Sequence, residues 1–337
     1  MILAGDIGGT HTRIALFDEQ AAPQLRLAIE QIYPSREHRG LEEILSLFLS
    51  NQQITPKAAC FGVAGPVFKG RASASNLVWI LDALSLAKVL KLESVYLIND
   101  LAAHAFGIDH LEPRDLISLN SAPAAQGNRA LIAAGTGLGE AGVFWDGKQY
   151  VPFASEGGHA DFAPRNTIEI ELHRYLLGKF GRVSCERILS GPGLKNVYDF
   201  LRESGTEEEP ELFKQQMAQA ADPAALIAQH GLSEKERICS RALEIFTNVY
   251  GAEAGNVALR FLATGGVYLS GGIAARILPK LQETGFMQAF KDKGRMAPLM
   301  ETIPLHVVTN DQVGLLGAAH YAWSQYNYRA STGAVSA

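Results

Sequence analysis

The sequence predicts a two-domain α/β protein, and three observations carry the prediction. Strand-like and helix-like segments alternate through the first hundred residues. A plan of strand, glycine-rich turn and strand occurs twice, at the amino terminus and again from residue 129. At 337 residues the chain can form roughly two domains of about 150 residues, each with its own core.

In the first round, apolar runs at 1–5 and 12–17 flank a turn, and 26–33 supplies a third strand. Leu41, Ile44, Leu45, Phe48 and Leu49 recur at helical spacing and predict a helix over 41–49. The run 58–63 reads as a strand stopped by Ala64-Gly65-Pro66. A helix over 83–90, a strand over 94–98 and a helix after Asp100 complete the round. Residues 109–128, with Pro113, Pro123 and Gly127, are the best domain boundary. The second round has strands at 129–134 and 141–145, then a mainly helical stretch over 166–262. There Cys239, Ala242, Leu243, Phe246, Val249 and Tyr250 form one apolar stripe. Strands at 266–270 and 303–308 and helices at 273–282 and 312–324 follow, and the last ten residues are expected to fray.

Composition narrows the function. An apolar fraction of 47% with 19% charged residues describes an ordinary globular chain. A net charge of −5 with scattered cations argues against a nucleic-acid partner. Cys60, Cys185 and Cys239 are odd in number, far apart and lack zinc spacing, so they read as buried apolar residues in a reducing compartment. The amino terminus has no signal-peptide pattern, and no window of about 18 apolar residues could span a bilayer. No membrane partner is expected, and the expected location is cytoplasmic.

Two familiar nucleotide motifs occur as text and fail on context. Residues 137–142 satisfy G-x-G-x-x-G, but β-prone Val143-Phe144-Trp145 and the turn Asp146-Gly147 follow where a dinucleotide site needs a helix. Residues 142–148 fit G-x-x-x-x-G-K, yet Gln149 replaces the metal-binding Ser or Thr. What remains is a pair of glycine turns between strands. Such turns point successive N–H groups into a concavity and form an anion nest without a helix. Thr10 and Thr136 add hydroxyls, and Asp6 could hold Mg²⁺ through water.

Gly5-Asp6-Ile7-Gly8-Gly9-Thr10, Ala134-Gly135-Thr136-Gly137-Leu138-Gly139 and Leu269-Ser270-Gly271-Gly272-Ile273 resemble the phosphate 1, phosphate 2 and adenosine motifs of the actin/hexokinase/Hsp70 ATPase superfamily. The resemblance implies an actin-like, ribonuclease H-like fold: two α/β domains with ATP in the cleft between them. Gly8, Gly9, Gly135 and Gly137 would line the phosphate turns, and Gly265, Gly266, Gly271 and Gly272 would let the adenosine side approach the nucleotide.

Three further clusters select the acceptor: Asn99-Asp100 at a strand end, Glu156-Gly157-Gly158-His159 past the second hairpin, and Glu186. A buried sugar wants a donor and an acceptor at each hydroxyl, and Asn, Asp, Glu and His supply them. Each cluster alone also has a plain reading as helix cap, loop or surface carboxylate. Together with Ser75-Asn76-Leu77-Val78-Trp79, His159-Ala160-Asp161-Phe162-Ala163-Pro164, Leu189-Ser190-Gly191-Pro192-Gly193-Leu194 and Asp292-Lys293-Gly294-Arg295, they resemble the bacterial glucokinase family over most of the chain. The absence of a cysteine cluster near His159 points to its zinc-free branch. His11 departs from the Asn that often follows Gly-Gly-Thr there.

The resemblance implies that Asn76, Asn99, Asp100, Glu156, His159 and Glu186 contact glucose, with Asp100 as catalytic base, ATP and Mg²⁺ as cofactors, and a homodimer. It also implies a small domain of 1–110 plus about 303–337 and a large domain of 111–302. The other readings are a kinase for a different hexose, a sugar sensor without catalysis, and an actin- or Hsp70-like ATPase. Asp6 and Asp100 are both present, which disfavours the sensor. An interaction ATPase would not need the combined hydroxyl-binding set.

Overall fold

The computed structural model describes residues 1–21, 24–52, 54–73 and 77–332. The chain divides into two units, one of Met1–Pro113 with the residues from Asn310 on, the other of Arg114–Thr309.

The first unit opens with β1 (Ile2–Ile7), β2 (His11–Asp18) and β3 (Arg26–Pro34), followed by α1 (Leu41–Gln52) and β4 (Ala58–Val63). Short strands β5 (Val67–Phe68), β6 (Arg71–Ser73) and β7 (Ile80–Asp82) form a separate sheet before α2 (Ala83–Leu90), β8 (Val95–Asn99) and α3 (Asp100–Ile108). The main sheet has the order β3-β2-β1-β4-β8. β1, β2 and β3 form an antiparallel meander, and β1, β4 and β8 run parallel. The first four residues of β1, Ile2 to Gly5, carry no polar side chain because both faces of the strand are buried there. Leu3 and Ile7 join a core with Leu41, Ile44 and Phe48 of α1, while Ile2 and Ala4 point to the opposite core with Ala318 and Ala322.

The second unit repeats the plan. It contains β9 (Leu116–Ser118), β10 (Arg129–Ala134), β11 (Leu138–Trp145), β12 (Tyr150–Ser155) and then a helical layer: α4 (Thr167–Phe180), α5 (Gly191–Glu203), α6 (Glu211–Gln219), α7 (Pro223–Leu232) and α8 (Arg237–Phe261). β13 (Val267–Ser270), α9 (Gly272–Arg276), α10 (Leu278–Leu281), α11 (Thr284–Lys291), α12 (Ala297–Thr302) and β14 (Leu305–Val308) close it. Its sheet runs β12-β11-β10-β13-β14-β9, again an antiparallel meander joined to parallel strands. The predicted stripe of α8 is buried, and Phe246 and Tyr250 are fully covered. A fully buried side chain of this kind contributes about 1.5–3 kcal/mol. All three cysteines are buried, as expected.

The chain then returns to the first unit as α13 (Val313–Thr332). The return falls at Asn310, not near 303, and the first unit extends past residue 110 to Pro113. The reason is β14, which pairs in parallel with β13 (Val267 opposite Leu305). A short apolar run signals a strand but does not say which sheet takes it. The expected boundary segment 109–128 likewise contains β9, which pairs with β14. β12, the small β5–β7 sheet and α11 had no distinct signal of their own.

α3 and α13 pack backbone to backbone. A Cβ on Gly317 would run into the Ala103 carbonyl, and one on Gly107 into the Val313 carbonyl. Gly317→Ala is therefore expected to destabilise the protein by about 1–3 kcal/mol. Gly178→Ala in α4, where a Cβ meets nothing within 4 Å, is expected to stabilise it by about 0.5–1 kcal/mol. Thermal unfolding of the two variants beside the parent checks both signs.

Candidate active site

In the first unit, parallel pairing brings three strand ends to one edge. Ile7, Val63 and Asn99 share one register across β1, β4 and β8, which places the ends of β1 and β8 about 10 Å apart. The β1–β2 turn carries Gly8, Gly9 and Thr10, and the Gly8 N–H donates to the His11 carbonyl at 3.0 Å. Ser35 buckles this turn from the side. Its N–H donates to Thr10 O at 2.9 Å and its Oγ to Gly8 O at 2.8 Å. No sequence signal singled out Ser35.

Asp6 is half-buried at the end of β1. Burial raises its carboxyl pKa above the ordinary value, and His104 and then Arg13 oppose that rise by attraction. Arg13 is itself held by Asp311 at 2.7 Å and Glu30 at 3.6 Å.

Asn99 realises the plain reading as a helix cap, and in doing so it positions its neighbour. Its Oδ1 accepts from the N–H groups of Leu101 and Ala102 at 3.0 and 3.2 Å. Its Nδ2 donates to Gly65 O at 3.2 Å and to Asp100 Oδ1 at 3.0 Å. Asp100 Oδ1 also accepts from Leu101 N–H at 2.9 Å. The carboxylate is thus fixed at the first turn of α3, where the helix dipole favours its charge. Asn76 lies outside the described residues.

In the second unit, the β10–β11 turn carries Gly135, Thr136 and Gly137, closed by Gly135 N–H donating to Gly137 O at 2.8 Å. Gly271 lies beside it, since β10 and β13 end together (Ala133 opposite Ser270). Gly271 has φ +82°, and a Cβ there would sit 2.7 Å from Ala134 O. Gly135 and Gly272 both face open space, with nothing within 4 Å of where a Cβ would be. Gly191, at the start of α5, docks on the turn by donating to Gly135 O at 2.8 Å. Gly265 and Gly266 do not join this edge. They precede β13 at its other end, ~13 Å away at about 3.3 Å per residue. There Gly265 N–H donates to Asn128 O, and its Cα backs onto Gly127. They pack between strand ends, away from the edge that carries Gly135 and Gly271, where the sequence had grouped all four.

Glu156, His159 and Glu186 come together although 30 residues separate the first from the last. Phe162 N–H donates to Val183 O at 3.0 Å and Cys185 N–H to Ala160 O at 2.9 Å, zipping the two segments side by side. His159 then lies between two carboxylates, Nδ1 3.9 Å from Glu186 Oε1 and Nε2 4.0 Å from Glu156 Oε2. The side chains of His159 and Glu156 are 58% and 59% exposed, so a ligand can reach them. Glu186 Oε2 accepts from Leu138 N–H at 3.0 Å and would touch a Cβ on Gly137 at 2.5 Å. One carboxylate therefore joins the acceptor cluster to the glycine turn. Chemically, this half offers hydroxyl partners beside an open anion nest.

The described chain matches the Glucokinase family model over residues 3–325. It is 43% identical to the glucokinase of Nostoc sp. over 334 residues, covering 95% of this chain and 98% of that one. A glucokinase from an Antarctic psychrotroph superposes with a TM-score of 0.82 at 28% identity, covering 96% and 98%. The glucokinase of Balamuthia mandrillaris in complex with glucose shares the fold, with a TM-score of 0.80 at 21% identity and 96% and 93% coverage. Strand order, repeated glycine turns and full-length similarity agree on an actin-like fold, and the chain belongs to the glucokinase family.

Proposed function

We propose that this protein transfers the γ-phosphoryl group of Mg-ATP to the 6-hydroxyl of D-glucose, with Asp100 as general base. The carboxylate of Asp100, held at the end of β8 by Asn99 and Leu101 N–H, is the observation that carries the reading. Asp100 accepts the proton of the attacking hydroxyl, a role worth about 10²–10⁴ in rate. Asn99, Glu156, His159 and Glu186 bind and orient the sugar, and Asn76 joins them by family resemblance. A fixed acceptor geometry lowers the entropic barrier to in-line attack.

The residues present fit a nucleoside triphosphate. The β1–β2 turn and the open Gly135 and Gly272 positions let backbone approach phosphate oxygens, with Thr10 and Thr136 as hydroxyl donors. Among the described residues no group of three or more His, Cys, Asp or Glu could hold a metal ion. Asp6 is therefore a single carboxylate suited to a cation carried mainly by phosphate and water. When bound, Mg²⁺ neutralises charge on the transferring phosphoryl group. Among the described residues no helix is long and apolar enough to cross a membrane. A cytoplasmic homodimer completes the proposal on family resemblance.

Asp100→Asn is expected to lower kcat by about 10²–10⁴ with KM values within a few-fold; near-normal kcat in a coupled assay removes Asp100 from the role of base. Glu186→Gln is expected to raise KM for glucose more than KM for ATP, as steady-state kinetics with each substrate varied would show. A panel of glucose, mannose, fructose and amino sugars crossed with ATP, ADP and polyphosphate tests the substrate assignment. It expects glucose with ATP to have the highest kcat/KM.

A further inference from the structure

A buried acid pair lies beneath the Glu156–His159 loop. Glu140, on β11 directly after the second glycine turn, is 1% exposed, and Glu253, on α8, is 4% exposed. Burying two carboxylates together is strongly unfavourable unless their charge is compensated. Arg260 serves both, with Nη1 3.3 Å from Glu140 Oε2 and Nη2 2.8 Å from Glu253 Oε1. Asn256 Nδ2 donates to Glu253 Oε2 at 2.9 Å. Lys293, the next cation outward, turns its Nζ to Ala252 O and Asn256 Oδ1, both at 2.9 Å.

One guanidinium thus faces two carboxyl groups, and Glu140 Oε1 is buried without a protein donor. Yet the Glu140 and Glu253 carboxyl groups are held against the same guanidinium, at 3.3 and 2.8 Å. Two ionised carboxylates have no proton to share, so their proximity would be repulsive. A single proton on Glu140 turns the orphaned oxygen into a donor and satisfies both groups. Burial first, and the charge of Glu253 second, push Glu140 up to about 8.

The same pair neighbours both segments that present the acceptor cluster. A Cβ on Gly157 would run into Glu140 Oε2, so the loop backbone rests on that carboxyl. Ser155 Oγ accepts from Gly157 N–H at 3.0 Å and holds the loop from the other side. The Cys185 thiol, adjacent in sequence to Glu186, lies within electrostatic reach of Glu253 and Glu140 and donates to Asp161 O at 3.8 Å.

We infer that Glu140 is a positioning residue: it shares one proton with Glu253 under the Glu156–His159 loop, and that shared proton seats the loop and the Cys185-Glu186 segment for sugar binding. The inference rests on the glucose-kinase reading. Loss of the proton leaves two adjacent carboxylates against Gly157, offset by Arg260 and, farther out, by Lys293. Among the described residues, Cys185 and Lys293 and, beyond Lys293, Arg165 and Asp292 are further titratable or charged groups around the pair. Burial raises the Cys185 thiol and lowers the Lys293 amine.

The sign follows from linkage. Glu140 has a folded pKa of about 8 against an ordinary value of 4.5. The folded state therefore holds the extra proton between these values. Its contribution to stability is full below about pH 4.5 and is lost as pH rises to about 8. Sugar affinity follows the protonated fraction and falls above about pH 8.

The test compares wild type with Glu140→Gln, whose amide keeps a donor toward Glu253 but cannot titrate. Wild-type KM for glucose is expected to rise about tenfold from neutral pH to about pH 9, with little change in kcat. In the variant it stays flat, although Lys293 and Cys185 remain. The wild-type Tm is expected to decline over about pH 5–8 relative to that of the variant. Identical Tm profiles overturn the shared proton, and a divergent Tm profile with identical KM profiles overturns the positioning role. If wild type phosphorylates no hexose at neutral pH, the kinase reading and the sugar-positioning role fail together, while the Tm comparison still decides the proton. Should Glu140→Gln not accumulate, Glu253→Gln removes the same acid pair from the other side and is read identically.

Discussion

Parallel pairing beside a central hairpin is the constraint on which the functional residues depend. In each unit one strand is shared between an antiparallel hairpin and a parallel neighbour: β1 between β2 and β4, β10 between β11 and β13. Because parallel strands end at the same sheet edge, the hairpin turn and the loop after the parallel strand are brought together. Asp6 and Gly8 thereby share an edge with Asn99 and Asp100, and Gly135 with Gly271. A register slip of one residue would reverse every side chain on a strand and scatter both sets.

Around those edges the backbone forms the turns, and side chains keep it in place. Ser35 ties the first turn, Gly191 the second, and Asn99 satisfies the amino-terminal N–H groups of α3 while orienting Asp100. Glu186 does two jobs at once, holding Leu138 N–H with one oxygen and approaching His159 with the other. Such double use ties the acceptor cluster to the anion nest without any additional element.

The acid pair beneath the loop shows how a stable core can carry a titratable group. Glu140 enters the core because it opens a run of β11, residues 140–143, that is buried throughout. Arg260, two turns along the same face of α8 from Glu253, makes this tolerable only if a proton is retained. The loop then rests on a chemically variable support, whereas an apolar residue there would be inert to pH.

The sequence by itself determined the layering of strands and helices, the repeated plan and both glycine turns, and it singled out the residues proposed to bind the acceptor. These are local signals: periodicity, turn chemistry and residue type at short spacing. Tertiary structure decided where those residues go. It assigned β14 to the second sheet, moved Gly265 and Gly266 to the far end of β13, and joined Glu186 to His159 through backbone pairing. It also showed that Asn99 caps α3 and that Glu140, Glu253 and Arg260 converge from β11 and α8. No local pattern encodes such meetings, because a hydrogen bond or ion pair between distant segments depends on sheet order and burial, which only the folded chain defines.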